Sequence, residues 1–261
     1  MDKLVLAGRR AVVTGASRGI GQSIALALAQ AGADVAVTAR SETELEQVAE
    51  QIRALGRRSL AVSSDVTDPI QVERLAAAVQ AGLGGIDILV NNAGGGASHK
   101  FLNHPDELWQ RMLLLNLTSV YYVTKAFVPA MVEQRWGRIM TIASTAAKVG
   151  GRYIAAYTAA KHGVLGLTRS LALELAPYQI TVNTVCPGYV DTPMTQATID
   201  NIVARTGMSE AQARQSLEKT SPQQRLINPN EIAALVVFLA QDTSYGITGQ
   251  AINVDGGTVM A

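Results

Sequence analysis

The stretch that decides the fold runs from Thr14 to Gly21 and reads Thr-Gly-Ala-Ser-Arg-Gly-Ile-Gly. The apolar run from Arg10 to Thr14 predicts a strand before it, and an apolar helix is predicted from Ile20 onward. Glycines in such a turn let backbone N–H groups approach a pyrophosphate, and the helix N-terminus adds partial positive charge. The sequence therefore predicts a dinucleotide-binding unit whose coenzyme contacts are Gly15, Ser17, Arg18, Gly19, Ile20 and Gly21.

Short apolar runs alternate with longer amphipathic stretches along the rest of the chain. This alternation is typical of an α/β fold, a parallel sheet with helices on both faces. No linker rich in Pro, Gly or Ser interrupts it, so one domain over residues 1–261 is predicted. The predicted strands are Arg10 to Thr14, Asp34 to Ala39, Ser59 to Ser63, Asp87 to Asn91, Arg138 to Ala143, Thr181 to Cys186 and Ala251 to Val254. The main predicted helices are Ile20 to Ala31, Glu42 to Leu55, Pro69 to Ala81, Glu107 to Gln134 and Ile154 to Ala176.

One segment, Thr192 to Thr220, breaks the alternation. It has helical spacing but follows a strand end, where α/β proteins place lids over ligands. We expect a substrate lid at about residues 192–220.

Composition excludes several classes of function. The 22 Lys plus Arg against 21 Asp plus Glu give a net charge of +1, too little for electrostatic binding of nucleic acid. The single cysteine, Cys186, cannot form an internal disulfide, and the three histidines have no metal-ligand spacing. The longest apolar run, Ile232 to Ala240, is far shorter than the roughly 20 residues of a membrane span. We expect a cytoplasmic protein without metal, membrane or nucleic-acid partners.

The glycine stretch also fits the G-x-S-x-G nucleophile elbow of a hydrolase, through Gly15, Ser17 and Gly19. Such an elbow follows several earlier strands, one of whose loops donates the oxyanion hole. Only 14 residues precede Gly15, which disfavours this alternative.

The end of the second predicted strand distinguishes the two nicotinamide coenzymes. An acidic residue there binds the ribose 2′-hydroxyl of NADH, whereas an arginine pairs with the 2′-phosphate of NADPH. The sequence has Thr38-Ala39-Arg40 at this point, and Arg18 adds a second guanidinium. NADPH is predicted, the alternative being two solvated surface arginines.

Two tyrosine–lysine pairs have a spacing that places both side chains on one helix face: Tyr157 with Lys161, and Tyr121 with Lys125. Thirteen residues before Tyr157 stands Ser144, directly after a predicted strand. A hydroxyl at that sheet edge can hydrogen-bond a substrate oxygen, whereas the equivalent residue for the other pair is a leucine. Ser144, Tyr157 and Lys161 are therefore the predicted catalytic set.

With these residues in place, the chain resembles the short-chain dehydrogenase/reductase family over essentially its whole length. The resemblance implies a single-domain doubly wound Rossmann fold with a seven-stranded parallel sheet in the order 3-2-1-4-5-6-7. The matching motifs are Thr14 to Gly21, Asp65-Val66, Asn91-Asn92-Ala93-Gly94, Asn116, Ser144, Tyr157 to Lys161 and Pro187-Gly188.

The resemblance also assigns roles to residues. Tyr157 is the acid/base, Lys161 binds the nicotinamide ribose, Ser144 holds the carbonyl oxygen and Asn116 supports a proton-relaying water. A local interpretation of Asp65 is a turn residue. The further coenzyme contacts that the family implies are Asp65, Val66, Asn92, Ala93, Gly94, Pro187, Gly188, Val190 and Thr192.

The chemistry agrees with these roles because reduction of a ketone by hydride needs a proton donor. A free tyrosine has a pKa of about 10. An ammonium at ~5 Å and an effective dielectric of ~20 contributes about 3 kcal/mol, which predicts that Lys161 lowers the pKa of Tyr157 by roughly 2 units.

The substrate is less closely defined. Similarity to ketoreductases of 3-oxoacyl thioesters and polyketides favours a 3-oxoacyl thioester or a similar hydrophobic ketone, selected by the loop from Gly94 to Phe101 and by the lid. Of two basic residues found beside the entrance in carrier-protein-dependent members, Arg135 matches one, but Tyr178 stands at the other place. The alternatives are oxidation of a secondary or alicyclic alcohol, or a non-catalytic NADPH sensor. By resemblance we expect a homotetramer.

Overall fold

The structure, a computed structural model, describes residues 4–260 and contains a seven-stranded parallel sheet. The strand order is β3-β2-β1-β4-β5-β6-β7, which confirms the predicted order. The order reverses between β1 and β4, whose loops leave the carboxyl edge in opposite directions and open a crevice there. The strands are β1 Arg10–Thr14, β2 Asp34–Ala39, β3 Ser59–Ser63, β4 Ile88–Asn91, β5 Gly137–Ile142, β6 Ile180–Pro187 and β7 Ala251–Val254.

Helices cover both faces of the sheet and bury its apolar side chains in two separate clusters. One face packs against α1, α2 and α9, and the other packs against α3, α5 and the C-terminal part of α6. The helices are α1 Gly19–Gln30, α2 Glu42–Ala54, α3 Pro69–Leu83, α4 Asp106–Leu113, α5 Ser119–Gln134, α6 Ala155–Leu175, α7 Pro193–Thr206, α8 Glu210–Glu218 and α9 Pro229–Ala240.

The predicted helix from Glu107 to Gln134 is divided in the structure. A π-helical turn, Leu114–Thr118, separates α4 from α5, with the buried Asn116 at its centre. The Asn116 Nδ2 donates to the carbonyl oxygens of Met112 and Gly95, at 3.1 and 2.9 Å. A side chain that bonds within and beyond its own helix widens the turn, and such turns are frequent at functional sites.

The predicted lid consists of α7 and α8, which pack on each other through an apolar cluster of their own. That cluster contains Ile199, Ala213 and Leu217, and it is separate from the clusters that cover the sheet. A parallel bridge between Val190 and Ile227 joins the chain just before and just after the segment. The predicted lid is therefore a packed pair of helices, and the chain segments on either side of it are joined at one point.

Among residues 4–260, no helix has the length and apolar character needed to cross a bilayer. The same residues contain no group of three or more His, Cys, Asp or Glu side chains arranged to hold a metal ion.

Candidate active site

The glycine loop between β1 and α1 has a backbone that only glycine adopts easily. Gly15 and Gly19 have φ values of +63° and +59°. A side chain at Gly21 would collide with the carbonyl oxygen of Gly15, since the helix start lies directly on the turn. The loop therefore presents bare backbone at the N-terminus of α1, with Ile20 in the first turn and the exposed Arg18 as its N-cap residue.

Hydrogen bonds join this loop to the loop that follows β4. Thr14 Oγ1 accepts from the backbone N–H groups of Asn92 and Ala93, both at 3.0 Å. The Asn92 Nδ2 donates to the carbonyl oxygens of Thr14 and Gly15, also at 3.0 Å. The two loops on either side of the strand-order reversal are thus fixed together and form one floor of the crevice.

Arg40 follows β2 at the same edge and is exposed, as is Arg18. No carboxylate stands at the end of β2, and the ion pairs within residues 4–260 include neither arginine. The Arg40 carbonyl accepts a hydrogen bond from Ser63 Oγ at 3.2 Å, which ties the end of β2 to the end of β3. Two guanidinium groups are thereby left for an anionic ligand.

After β3, Asp65 has the local turn role that its sequence context suggested. Its Oδ1 accepts from the backbone N–H and the hydroxyl of Thr67, at 2.9 and 2.7 Å. Gln71 accepts from the Asp65 N–H at 2.9 Å, and the adjacent Val66 is buried. The carboxylate keeps its second oxygen for a ligand, so the turn role is compatible with a coenzyme contact.

The predicted catalytic side chains come from two elements that meet at the carboxyl edge of β5. Ser144 lies just beyond β5, and Tyr157 and Lys161 occupy the first turns of α6. The Lys161 Nζ lies 5.7 Å from the centre of the Tyr157 ring and donates to the carbonyl oxygen of Ile142 at 3.0 Å. The Ser144 Oγ accepts from the Ala146 N–H at 3.1 Å, and the Ser144 side chain also hydrogen-bonds that of Tyr157.

Burial dominates the electrostatics of this site. Lys161 is only 4% exposed, and its desolvation lowers the pKa of the ammonium to about 8. Burial also raises the pKa of Tyr157, although the hydrogen bond with Ser144 opposes that rise. The pKa of Tyr157 therefore shifts upward, opposite to the predicted lowering, because burial disfavours the phenolate by more than the hydrogen bond with Ser144 favours it.

The second tyrosine–lysine pair has nearly the same local geometry in a different environment. The Lys125 Nζ lies 5.6 Å from the centre of the Tyr121 ring on α5. Tyr121 is 44% exposed, and the residue thirteen positions before it, Leu108, offers no hydroxyl. Spacing alone produces both contacts, while burial beside Ser144 distinguishes the Tyr157 pair.

Asn116 connects the π-helical turn to the site through the loop after β4. Its Oδ1 accepts from the Gly95 N–H at 3.1 Å. A Cβ on Gly94 would lie 2.9 Å from this oxygen and 3.6 Å from Lys161 Nζ, so no larger residue fits between them. Asn116 therefore lies near Lys161, on the other side of Gly94, and its hydrogen bonds hold the loop that carries Gly94.

The loop after β6 completes the crevice. The Gly188 N–H donates to the Val254 carbonyl oxygen at 3.1 Å, and Val190 is buried. Thr192 caps α7 and lies against the glycine loop, since a Cβ on Gly19 would be 3.3 Å from its methyl group. The segment from Pro187 to Thr192 thus contacts the glycine loop through Thr192.

Two residues of the site escaped the sequence analysis. The fully buried thiol of Cys186, near the end of β6, interacts electrostatically with Tyr157 and Lys161, and burial raises its pKa. Tyr189, from the loop after β6, also interacts electrostatically with Tyr157. The sequence feature that could have identified them is their position on either side of the Pro187-Gly188 motif.

The expected position of Arg135 beside the entrance is wrong for a single chain. Arg135 caps the C-terminus of α5 and Tyr178 precedes β6, so both lie at the amino edge of the sheet. The Arg135 guanidinium donates to the Pro177 carbonyl oxygen at 2.8 Å and faces the Tyr178 ring at 5.9 Å. The site of Tyr157 lies at the opposite edge.

Comparison with known proteins gives concordant matches. The family model described as enoyl-(acyl carrier protein) reductase matches residues 15–259. The chain is 40% identical to the 3-oxoacyl-(acyl-carrier-protein) reductase FabG of Escherichia coli, covering 97% of this chain and 98% of the relative. It is 37% identical to a D-beta-hydroxybutyrate dehydrogenase of Rhizobium meliloti, covering 95% and 98%.

A solved structure agrees with these matches. The crystal structure of an actinorhodin polyketide ketoreductase with NADPH superimposes with a TM-score of 0.92 at 40% identity, covering 96% of this chain and 97% of the other. Together with the parallel sheet and its reversal point, these matches establish that the chain belongs to the short-chain dehydrogenase/reductase family of oxidoreductases.

Proposed function

We propose that the protein reduces a hydrophobic ketone to a secondary alcohol with NADPH, and that Tyr157 delivers the proton. The observation that carries this proposal is the meeting of the half-buried Ser144 and Tyr157 with the buried Lys161 at the carboxyl edge of β5. Relatives named as 3-oxoacyl reductase and as ketoreductase with NADPH support the same direction and coenzyme.

The residues around the crevice fit NADPH. Bare backbone at Gly15, Gly19 and Gly21 suits a pyrophosphate, and Arg18 with Arg40 suits the 2′-phosphate that distinguishes NADPH. The bound coenzyme would supply the hydride. The remaining candidate contacts are Ser17, Ile20, Asp65, Val66, Asn92, Ala93, Gly94, Tyr157, Lys161, Pro187, Gly188, Val190 and Thr192.

The protein's own groups handle the carbonyl oxygen and its proton. The Ser144 hydroxyl donates to that oxygen and orients it, while its own oxygen accepts from the Ala146 N–H. The Tyr157 phenol gives its proton to the developing alkoxide, and the Lys161 ammonium stabilises the phenolate that remains. Asn116 fixes the loop beside Lys161 and supports a water that returns a proton from solvent.

The first test measures oxidation of NADPH by absorbance with acetoacetyl-CoA and a series of cyclic ketones. We expect turnover with at least one ketone, and no turnover despite tight NADPH binding would favour the sensor alternative instead. Replacement of Tyr157 by Phe is expected to lower kcat by at least about 100-fold, the usual contribution of a general acid, while the variant still binds NADPH.

The matched control is Tyr121→Phe, which alters the exposed pair of the same spacing. It should leave kcat unaltered. Equal activity of the wild type and Tyr157→Phe would exclude Tyr157 as the acid.

The reverse reaction is the second candidate function, favoured by the similarity to a hydroxybutyrate dehydrogenase. The same side chains serve it, with Tyr157 taking the proton from the alcohol. Comparing kcat/KM for the ketone with NADPH and for its alcohol with NADP⁺ at neutral pH distinguishes the two directions.

We also infer a homotetramer in the cytoplasm. Large apolar side chains remain exposed on the outer helices, among them Leu173 on α6. A reduced buried Cys186 agrees with an intracellular location.

A further inference from the structure

One contact between two loops spans the carboxyl edge of the sheet. A Cβ on Gly19, in the loop after β1, would lie 3.3 Å from the methyl group of Thr192 and 3.8 Å from Pro193, both of which follow β6. Strands β4 and β5 stand between β1 and β6 in the sheet. The chain at residues 190–193, here called the crossing segment, therefore bridges the ends of both strands and closes over the crevice.

The backbone of the crossing segment is fixed where it leaves the sheet. Val190 is buried and forms the parallel bridge with Ile227, and the Asp191 N–H donates to the Ile227 carbonyl oxygen at 2.9 Å. The Thr192 Oγ1 accepts from the Thr195 N–H at 3.4 Å, which caps the start of α7. The Asp191 carboxylate takes no part in these bonds and is bound by the lid instead.

An ion pair joins the crossing segment to α8 of the lid. The Arg214 Nη2 and Nη1 donate to the two carboxylate oxygens of Asp191, at 2.8 and 3.4 Å. The Arg214 Nε donates to Glu218 Oε1 on the same helix at 3.1 Å. A fork of two N–H groups on one carboxylate gives geometric specificity as well as energy. Glu218 thus orients the Arg214 side chain, and Arg214 in turn holds Asp191.

The lid does not need this ion pair for its own packing. Helices α7 and α8 are already joined by the apolar cluster that contains Ile199 and Leu217, and the Gln196 side chain donates to Glu210 at 2.9 Å. The pair of Arg214 with Asp191 is different because it connects the lid to the chain that contacts the glycine loop. It therefore fixes where the lid stands relative to the crevice.

We propose that Arg214 is a positioning residue that holds the crossing segment over the crevice and thereby slows the release of NADPH. This inference rests on the proposed use of NADPH and adds a control of its release. A coenzyme bound between the glycine loop and the loop after β6 has to pass the crossing segment. Displacing that segment either breaks the pair of Arg214 with Asp191 or moves the whole lid, and such motions limit turnover in many enzymes.

The test measures the dissociation rate of NADPH by stopped-flow fluorescence, with excess NADP⁺ present to prevent rebinding. Arg214→Gln is expected to raise this rate about two- to fivefold, the range that a partly exposed ion pair provides. Asp191→Asn should raise the rate equally. The double variant should release NADPH no faster than either single variant, because the two changes remove one interaction.

The matched control is Arg205→Gln, which removes an equal charge from the exposed last turn of α7. The ion pairs within residues 4–260 do not include Arg205. This variant should release NADPH at the wild-type rate, which separates the ion pair from a general attraction between a positive lid and an anionic coenzyme. A purely structural role of Arg214 would lower the Tm without changing the release rate.

A wild-type release rate in Arg214→Gln or Asp191→Asn, or effects that multiply in the double variant, would overturn the inference while the proposed function stood. Equal acceleration of release in Arg205→Gln would overturn it as well. Absence of NADPH binding to the wild type would instead overturn the proposed function and, with it, the inference.

Discussion

Lys161 is a cation enclosed almost completely by protein. The ammonium gives one hydrogen bond to the Ile142 carbonyl oxygen, and no carboxylate pairs with it within residues 4–260. Its pKa of about 8 is lower than the ordinary lysine value of 10.5 because burial disfavours the charged form. The site therefore keeps a destabilising charge in place for its chemistry.

Replacing Lys161 by Met should stabilise the coenzyme-free protein at pH 7. The folded protein binds this proton less tightly than the unfolded chain, so the wild type gains stability as pH rises from about 8 to 10.5. A shift of this size corresponds to at most about 3 kcal/mol in the free energy of unfolding. Urea unfolding at pH 7 and pH 10 should show the advantage of the variant shrinking at the higher pH.

The matched control is Lys125→Met, on the exposed pair of α5. It should produce no such pH-dependent difference. A variant at position 161 that is less stable than the wild type at pH 7 would contradict the burial argument.

Replacing Arg40 is expected to change the preference of the protein for NADPH over NADH. Arg40→Ala should lower kcat/KM for NADPH by roughly 10- to 100-fold, since a hydrogen bond to a charged group contributes about 1.5–3 kcal/mol, and should leave NADH little affected. Steady-state kinetics with both coenzymes measure this. Arg53→Ala, which removes an arginine ion-paired with Glu46 on α2, is the control and should alter neither value.

At the scale of elements, the strands agree with the sequence prediction to within one or two residues. The short apolar runs and the turn residues between them were sufficient to predict where the strands begin and end. The break at Leu114–Thr118 was not predicted because its cause is a contact between Asn116 and Gly95, which lie far apart in sequence. Asn116 itself was singled out only through the family resemblance, as a residue that supports a water, and the π-helical turn depends on its contact partners.

The lid should unfold separately from the sheet because its apolar cluster is its own. Leu217→Ala removes a buried side chain from that cluster. Such a change typically costs 2–5 kcal/mol, which here should appear as faster hydrogen exchange within residues 192–220 with little change in global Tm. Leu28→Ala, in the cluster that covers the sheet, is the contrasting variant and should lower the global Tm. Equal loss of global Tm in both variants would show that the lid is not an independent unit.

For the whole molecule, the sheet order and the meeting of loops at one edge were predictable, while the electrostatics of the site were not. The four-residue spacing predicted that Tyr157 lies beside Lys161. The upward shift of the Tyr157 pKa follows from burial, and burial cannot be deduced from the spacing of residues in the sequence. The position of Arg135 failed for a related reason, because helix direction decides at which edge a residue lies. The single domain over residues 1–261 and the roles of the site residues stay predictions.

Assembly belongs to the same scale. Leu173 on α6 is 81% exposed, and a homotetramer is expected to cover such side chains. Leu173→Glu should shift the sedimentation coefficient toward smaller species if that face is buried. Leu55→Glu, at the C-terminus of α2, is the control and should leave the coefficient unchanged. A wild type that sediments as a monomer would refute the expected assembly.

The bridge between Val190 and Ile227 has a consequence for engineering. Because the two ends of the intervening segment meet at one fixed point, a foreign segment of another length can be spliced between them without displacing a strand. The predicted lid can in this sense be exchanged as one segment. Chimaeras that exchange this segment but keep Thr192, which lies against the glycine loop, are expected to alter substrate range.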